Sequence, residues 1–140
     1  MTELVCNLSV LMTTTEPSMP IIDREQLIQR MMGSAEMAKR MLCRFVETSR
    51  NECDLIESTV RMGDKSSLAS LAHRHKGTAQ TMASARVAQV AAALETRAHC
   101  DETSELLAMV DELRSLHCEV REFLNDEFSV SVPSDRGEQK

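Results

Sequence analysis

The chain has 140 residues, enough to bury one hydrophobic core and too few for two separate ones. Its 16 Lys and Arg residues against 22 Asp and Glu residues give a net charge of −6, which argues against the broad basic surface that nucleic-acid binding requires. Aromatic residues make up 2% of the chain, with no Trp or Tyr, so base-stacking platforms and aromatic-lined cofactor pockets have almost no material.

The two ends of the sequence differ from its centre. Residues 1–20 contain TTTEPSMP and residues 128–140 contain SVSVPSDRGEQK, which are polar and rich in turn-forming residues. We therefore predict a flexible leader and a flexible tail around one domain of residues 21–127. Within this domain apolar residues recur at three and four positions and no alternating strand pattern lasts, which predicts an all-α fold.

The spacing of apolar residues predicts five helices. They lie at about 23–32, 35–61 and 65–82, from near residue 84 to the AHCDET segment, and at about 103–126. The last two have predicted buried stripes, at Val87, Val90, Ala91, Leu94 and Ala98 and at Leu106, Val110, Leu113, Val120 and Leu124. Short connections between successive amphipathic helices predict an antiparallel up-down-up-down four-helix bundle with a short extra N-terminal helix.

Polar residues and glycine mark the predicted helix ends. Asp23 and Ser34 stand at the positions of N-caps for the first two helices. Gly63, which suits the left-handed conformation at a helix C-terminus, is followed by Asp64 as the N-cap of the third helix. The second and third helices are therefore expected to be antiparallel neighbours.

The third helix contains the sequence LAHRHKGTAQTMAS, which places two histidines on different faces. Its predicted buried stripe consists of Leu68, Leu71, Ala72, His75, Ala79 and Met82. His73 lies roughly 200° from His75 around the helix and is expected to face water. Because a helical pair of metal ligands needs a spacing of three or four residues, HRH is a poor zinc site.

The neighbours of His73 suit a phosphoryl group. Lys76 places a compact positive charge within its reach, and Gly77, which costs about 1 kcal/mol relative to Ala in a helix, leaves room for another molecule. A neutral imidazole is a competent nucleophile near pH 7 because its unperturbed pKa is roughly 6.5. We therefore predict that His73 accepts a phosphoryl group.

This segment resembles the signature of histidine-containing phosphotransfer domains, in which His-x-x-Lys-Gly lies on the second helix of an antiparallel four-helix bundle. The matching residues are His73, Lys76 and Gly77, and the GD at 63–64 and the LE at 94–95 also fit. The resemblance covers roughly residues 20–126. It implies that His73 takes a phosphoryl group from the aspartate of one receiver domain and gives it to another, without kinase activity of the chain's own.

The resemblance also implies the partners. These are response-regulator receiver domains and a hybrid sensor kinase; the receiver brings the Mg²⁺ and the aspartate, so no cofactor or metal is expected in this chain. We expect partner docking to use small and polar residues near His73, namely Ala69, Ala72 and Gln80.

Two positions depart from the family pattern. His75 stands where the family usually has a large aliphatic residue, and Ala83 stands where it has a second glycine. A polar ring on the core stripe must find a hydrogen bond or lie at the edge of the stripe. The structural interpretation of His75 competes with a role as a second phosphoryl acceptor.

Two other functions remain open from sequence. The chain could be a non-catalytic helical module that binds receiver-like domains without exchanging phosphate. It could also bind zinc through His99, Cys100, His117 and Cys118, although adjacent His and Cys make a poor chelate on a helix.

The cysteines and the lack of targeting signals indicate the cellular setting. The sequence has five cysteines and no CxxC pair, and its N-terminal residues lack the basic region of a secretory signal. These features predict free thiols in a reducing cytoplasm. No run of 18 apolar residues occurs, so no membrane association is expected. We expect a monomer, and Met1 with the polar tail favours a free-standing protein.

Overall fold

The structure, a computed structural model, describes residues 19–128. This part of the chain contains five helices: α1 (Arg24–Arg30), α2 (Ala35–Met62), α3 (Lys65–Thr81), α4 (Ala85–Arg97) and α5 (Thr103–Phe128). The predicted all-α fold is confirmed. The predicted leader and tail, apart from residues 19, 20 and 128, lie outside the described residues.

The four longer helices pack in a closed ring. Helix α2 contacts α3 and α5, α4 contacts α3 and α5, and α1 lies against α2. The connections between successive helices of the ring, 63–64, 82–84 and 98–102, are too short for a crossover. Connections of this length favour antiparallel neighbours. The up-and-down order of the bundle stays a prediction.

Three predicted N-caps are confirmed by hydrogen bonds. The carboxylate of Asp23 accepts from the backbone N–H of Gln26, and the carboxylate of Asp64 accepts from that of Ser67. The hydroxyl of Ser34 caps α2 in the same way. Gly63 closes α2 with φ of 72°, in the left-handed region that favours glycine.

The start of α4 is fixed by the segment before α1. Ser84 has no capping hydrogen bond to its own helix, and its buried hydroxyl donates instead to the carbonyl of Ile21 at 2.8 Å. The backbone N–H of Asp23 donates to the carbonyl of Ala83. Ala83, which stands where the family pattern has glycine, has φ of 60°, in the left-handed region that favours glycine.

The core follows the predicted stripes closely. All ten predicted positions of the two C-terminal stripes are buried. On α3, Leu68, His75 and Met82 are buried, whereas Leu71 lies at the edge of the core and is half-buried. Within residues 19–128, no helix is sufficiently long and apolar to span a membrane.

Candidate functional site

Helix α3 divides its two histidines between water and the core, as predicted. The side chain of His73 is 67% exposed, whereas that of His75 is 3% exposed. The step of about 200° between residues i and i+2 of a helix produces this division. His73 is the histidine of α3 that a second protein can reach.

A carboxylate from the neighbouring helix links His73 to Lys76. Glu95, on α4, accepts from Nδ1 of His73 through Oε2 at 2.8 Å and pairs with Nζ of Lys76 through Oε1 at 3.0 Å. The hydrogen bond from Lys76, followed by that from His73, lowers the pKa of Glu95. Glu95 is therefore ionised at neutral pH and balances the lysine charge.

The contact with Glu95 determines the tautomer of His73. An ionised carboxylate only accepts hydrogen bonds, so Nδ1 of His73 must carry the proton that it shares with Glu95. In the neutral ring, Nε2 is then the nitrogen with the free lone pair. The arrangement presents a nucleophilic nitrogen on an exposed ring. The ammonium of Lys76, which pairs with Glu95, lies about one helical turn away.

Gly77 lies on the exposed surface of α3 in open space. A Cβ built on this glycine would meet no atom of the described chain within 4 Å. The packing within the chain therefore does not require a glycine here. Glycine destabilises the interior of a helix, so its presence here is consistent with an external requirement, such as the close approach of a second molecule.

Comparison with known proteins agrees with this geometry. A family model described as "Hpt domain" matches residues 40–117, which is more than half of the chain. The chain belongs to the Hpt domain family. The searches of curated proteins and of solved structures found no match. The matched range includes His73, Lys76, Gly77 and Glu95, and Hpt domains act generally in histidine phosphotransfer as phosphocarrier modules that interact with receiver domains and kinases.

The three predicted docking residues of this Hpt domain differ in exposure. Gln80 is exposed and Ala69 is half-buried against the core. Ala72 is fully buried, so the prediction that it contacts a partner is wrong. The reason is its position between Leu68 and His75 on the buried stripe, which the same helical periodicity had already assigned to the core.

A buried histidine pair explains the unusual residue at position 75. Nε2 of His75 lies 2.8 Å from Nε2 of His117 on α5, and His117 is also buried. One nitrogen must donate and the other accept, so at least one of the two rings is neutral. Phe45 covers the pair, with its ring centroid 5.1 Å from that of His117. At 3% exposure, His75 cannot serve as a second phosphoryl acceptor in this conformation.

The environment of the pair disfavours protonation. Burial lowers the pKa of His75, against the opposing effect of Glu52, whose Oε1 lies 3.9 Å from Nδ1. Burial also lowers the pKa of His117 to about 3, with further contributions from His75 and Arg121. Both rings therefore remain uncharged at neutral pH in the folded Hpt domain.

Two contacts of the site were not assigned from the sequence. Glu95 was noted only as part of the LE pair, and its contact with His73 depends on how α4 packs against α3. The pairing of His75 with His117 joins residues 42 positions apart. The sequence predicts that a buried His75 needs a hydrogen-bond partner, but it does not identify that partner.

The four residues considered as alternative zinc ligands have different environments in the Hpt domain. His99, Cys100 and Cys118 are exposed, whereas His117 is buried and bonded to His75. In residues 19–128, no group of three or more His, Cys, Asp or Glu side chains has an arrangement that could hold a metal ion.

Proposed function

We propose that this Hpt domain is the phosphoryl carrier of a multistep phosphorelay. His73 accepts a phosphoryl group from the phosphoaspartate of one receiver domain and passes it to the aspartate of another. The observation that carries the proposal is the exposed ring of His73, whose Nδ1 is held by Glu95 so that Nε2 is the free nucleophile. The Mg²⁺ of the reaction belongs to the receiver, and this chain has no kinase activity of its own.

The chemistry of the transfer follows from the tautomer. Nε2 of His73 attacks phosphorus as the bond between phosphorus and the aspartyl oxygen breaks, and the aspartate leaves as a carboxylate. The phosphorylated ring retains the proton on Nδ1 and gains positive charge, which the carboxylate of Glu95 stabilises. Return of the phosphoryl group to a second aspartate reverses these steps.

Lys76 and Gly77 have distinct roles in the proposal. The ammonium of Lys76, held by Glu95, provides positive charge close to the oxygens of the transferring group. The missing side chain of Gly77 lets the receiver approach the exposed face of α3. Gln80 and the half-buried Ala69 lie on the same helix as candidate contacts with the receiver.

The proposal includes a cytoplasmic monomer. Among residues 19–128, Cys43, Cys53, Cys100 and Cys118 are free thiols, and a reducing compartment would keep them in that state. The partners are receiver domains of response regulators and a hybrid sensor kinase.

The test is transfer of labelled phosphate from a phosphorylated receiver to the purified chain. We expect an acid-labile phosphoryl group on the wild type and none on His73→Gln, whereas His99→Gln, which removes another exposed histidine, accepts phosphate at the wild-type rate. Acceptance by His73→Gln at the wild-type rate would disprove the proposal. Receiver binding that is unaffected by His73→Gln, with no labile phosphate, would instead support a non-catalytic interaction module.

A further inference from the structure

The groove between α2 and α5 contains a pocket that the phosphotransfer site does not use. Its volume is about 180 Å³, and its lining comes from α2 and α5 alone, whereas His73 lies on α3 and Glu95 on α4. The lining includes Ser49, three arginines and His117. The pocket is therefore a separate feature of the bundle.

The lining of the pocket carries positive charge. Arg50, Arg114 and Arg121 line it, and no acidic residue does. Arg114 is balanced by Asp54 at 2.9 Å and by Glu57 at 2.6 Å, both on α2. The Nε atom of Arg121 is buried and has no hydrogen-bond partner among the described residues. A buried guanidinium N–H without a partner is costly, and an oxyanion is its natural acceptor.

His117, which also lines the pocket, has a second buried polar atom without a partner. Its Nε2 is bonded to His75, and its Nδ1 is buried and unpartnered in the described part of the chain. Glu52 faces Nδ1 of His75 at 3.9 Å, and a carboxylate attracts an N–H at that nitrogen rather than a lone pair. A proton on Nδ1 of His75 makes its Nε2 the acceptor in the pair. His117 then donates through Nε2, and its Nδ1 holds a free lone pair.

We propose that this pocket binds a small phosphate-class oxyanion that retains a proton. The guanidinium of Arg121 binds the charged oxygens of the anion, and the O–H of the anion donates to Nδ1 of His117. Nε of Arg121 and Nδ1 of His117 are closed to solvent in this conformation, so the two side chains must shift toward the pocket to reach the anion. Pairing both atoms with it then removes the cost of leaving them buried and unsatisfied. The anion is either free inorganic phosphate or a phosphate group on a small molecule.

The proposal predicts a preference that charge alone does not produce. At neutral pH, inorganic phosphate retains at least one proton, whereas sulfate retains none and turns only lone pairs toward Nδ1 of His117. Sulfate is therefore expected to bind at least about ten-fold more weakly than phosphate. Phosphate forms a hydrogen bond with Nδ1 of His117, whereas the lone pairs of sulfate are repelled by the lone pair of that nitrogen. Glycerol phosphate distinguishes the two sources when both anions are titrated at about pH 6, where roughly half of a phosphate monoester still retains a proton; tighter binding than inorganic phosphate would indicate a phosphorylated small molecule.

The experiment is titration of the full chain with sodium phosphate, sodium sulfate and glycerol phosphate at matched ionic strength, followed by calorimetry and by the ¹⁵N resonances of labelled histidine. We expect saturable binding of phosphate to one site, with a shift of the Nδ1 resonance of His117. Arg121→Gln should weaken phosphate binding about ten-fold. Arg97→Gln removes the same charge from an ion pair with Asp101 outside the pocket and should leave binding unchanged.

A further variant separates this pocket from the site on α3. Lys76→Gln removes the cation beside His73 and should not alter phosphate binding between α2 and α5. Loss of binding in Lys76→Gln with retention in Arg121→Gln would overturn the proposal, as would the absence of saturable binding. Equal affinities for sulfate and phosphate would overturn the role of Nδ1 of His117 as an acceptor.

Discussion

At the scale of single residues, Gly77 places stability and function in opposition. Its added Cβ would meet nothing within 4 Å, so Gly77→Ala should raise the free energy of unfolding by about 0.5–1 kcal/mol. The same methyl group would face the docking receiver, and we expect phosphotransfer to slow. Urea unfolding and the rate of phosphoryl acceptance measure the two effects separately.

The control for Gly77→Ala is a substitution that improves helix propensity elsewhere. Asn51 is exposed on α2, and Asn51→Ala should stabilise the helix by a few tenths of a kcal/mol without changing the transfer rate. If Gly77→Ala transfers phosphate at the wild-type rate, the glycine has no steric role in docking.

Glu95 is the residue on which the tautomer of His73 depends. Glu95→Gln retains an oxygen that can accept from Nδ1 but removes the negative charge that stabilises the phosphorylated ring and holds Lys76. We expect the rate of phosphoryl acceptance to fall about ten- to a hundred-fold, the range found when a carboxylate that orients a metal-binding histidine is replaced. Rapid-quench measurement of label on His73 gives this rate.

A matched carboxylate provides the control for Glu95. Glu119, on α5, pairs with Arg86 at 2.9 Å, and Glu119→Gln should leave the rate unchanged. Equal rates for Glu95→Gln and wild type would show that the negative charge of Glu95 does not assist the transfer, even though its side chain contacts His73.

At the scale of helices and connections, a methionine occupies an unfavourable conformation. Met32, between α1 and α2, has φ of 59° and is 93% exposed. The left-handed conformation costs a non-glycine residue about 1–2 kcal/mol, and a glycine loses about 0.5–1 kcal/mol more entropy on folding. Met32→Gly should therefore stabilise the fold by about 0.5–1 kcal/mol, measured as a higher urea midpoint with an unchanged slope.

Ala83 is the comparison for this prediction because its φ of 60° is nearly the same. Its side chain is buried, at 7% exposure, so Ala83→Gly also loses the burial of a methyl group worth about 0.8 kcal/mol. The gain and the loss nearly cancel, and we expect little change in stability. A gain equal to that of Met32→Gly would mean that backbone strain alone decides both positions.

Much of the helical architecture was predictable because its signals are local. The caps at Asp23, Ser34 and Asp64 and the left-handed Gly63 depend on neighbouring residues, and the stripes depend on the helical period. Contacts between helices were not predictable in the same way. The links from Glu95 to His73 and between the two buried histidines require the rotation and register of packed helices, which a single sequence does not specify.

At the scale of the whole molecule, the neutral pair of His75 and His117 links stability to pH. The folded state holds His117 with a pKa of about 3, whereas the unfolded chain has the ordinary value of roughly 6.5. As pH falls below 6.5, the unfolded state gains protons that the folded state does not, so the free energy of unfolding decreases. The stabilisation is fully present above pH 6.5 and is lost progressively toward pH 3.

The expected loss is large enough to measure in a narrow window. From pH 7.5 to pH 5.5, His117 alone should lower the free energy of unfolding by about 1.4 kcal/mol, and the lowered pKa of His75 acts in the same direction. The lowered pKa values of Glu57 and Glu95 affect the free energy of unfolding mainly below pH 4.5, the ordinary value for a glutamate. They therefore contribute little between pH 7.5 and pH 5.5. Urea unfolding at the two pH values gives the difference directly.

Two histidine variants separate this linkage from a general effect of pH. His117→Gln can still donate to Nε2 of His75, so it should fold while losing about 1.4 kcal/mol of the pH dependence. His99→Gln, at an exposed position, should retain the wild-type dependence. If His117→Gln shows the wild-type dependence, His117 is not held neutral in the core, and the buried pair cannot be the reason that the bundle weakens at low pH.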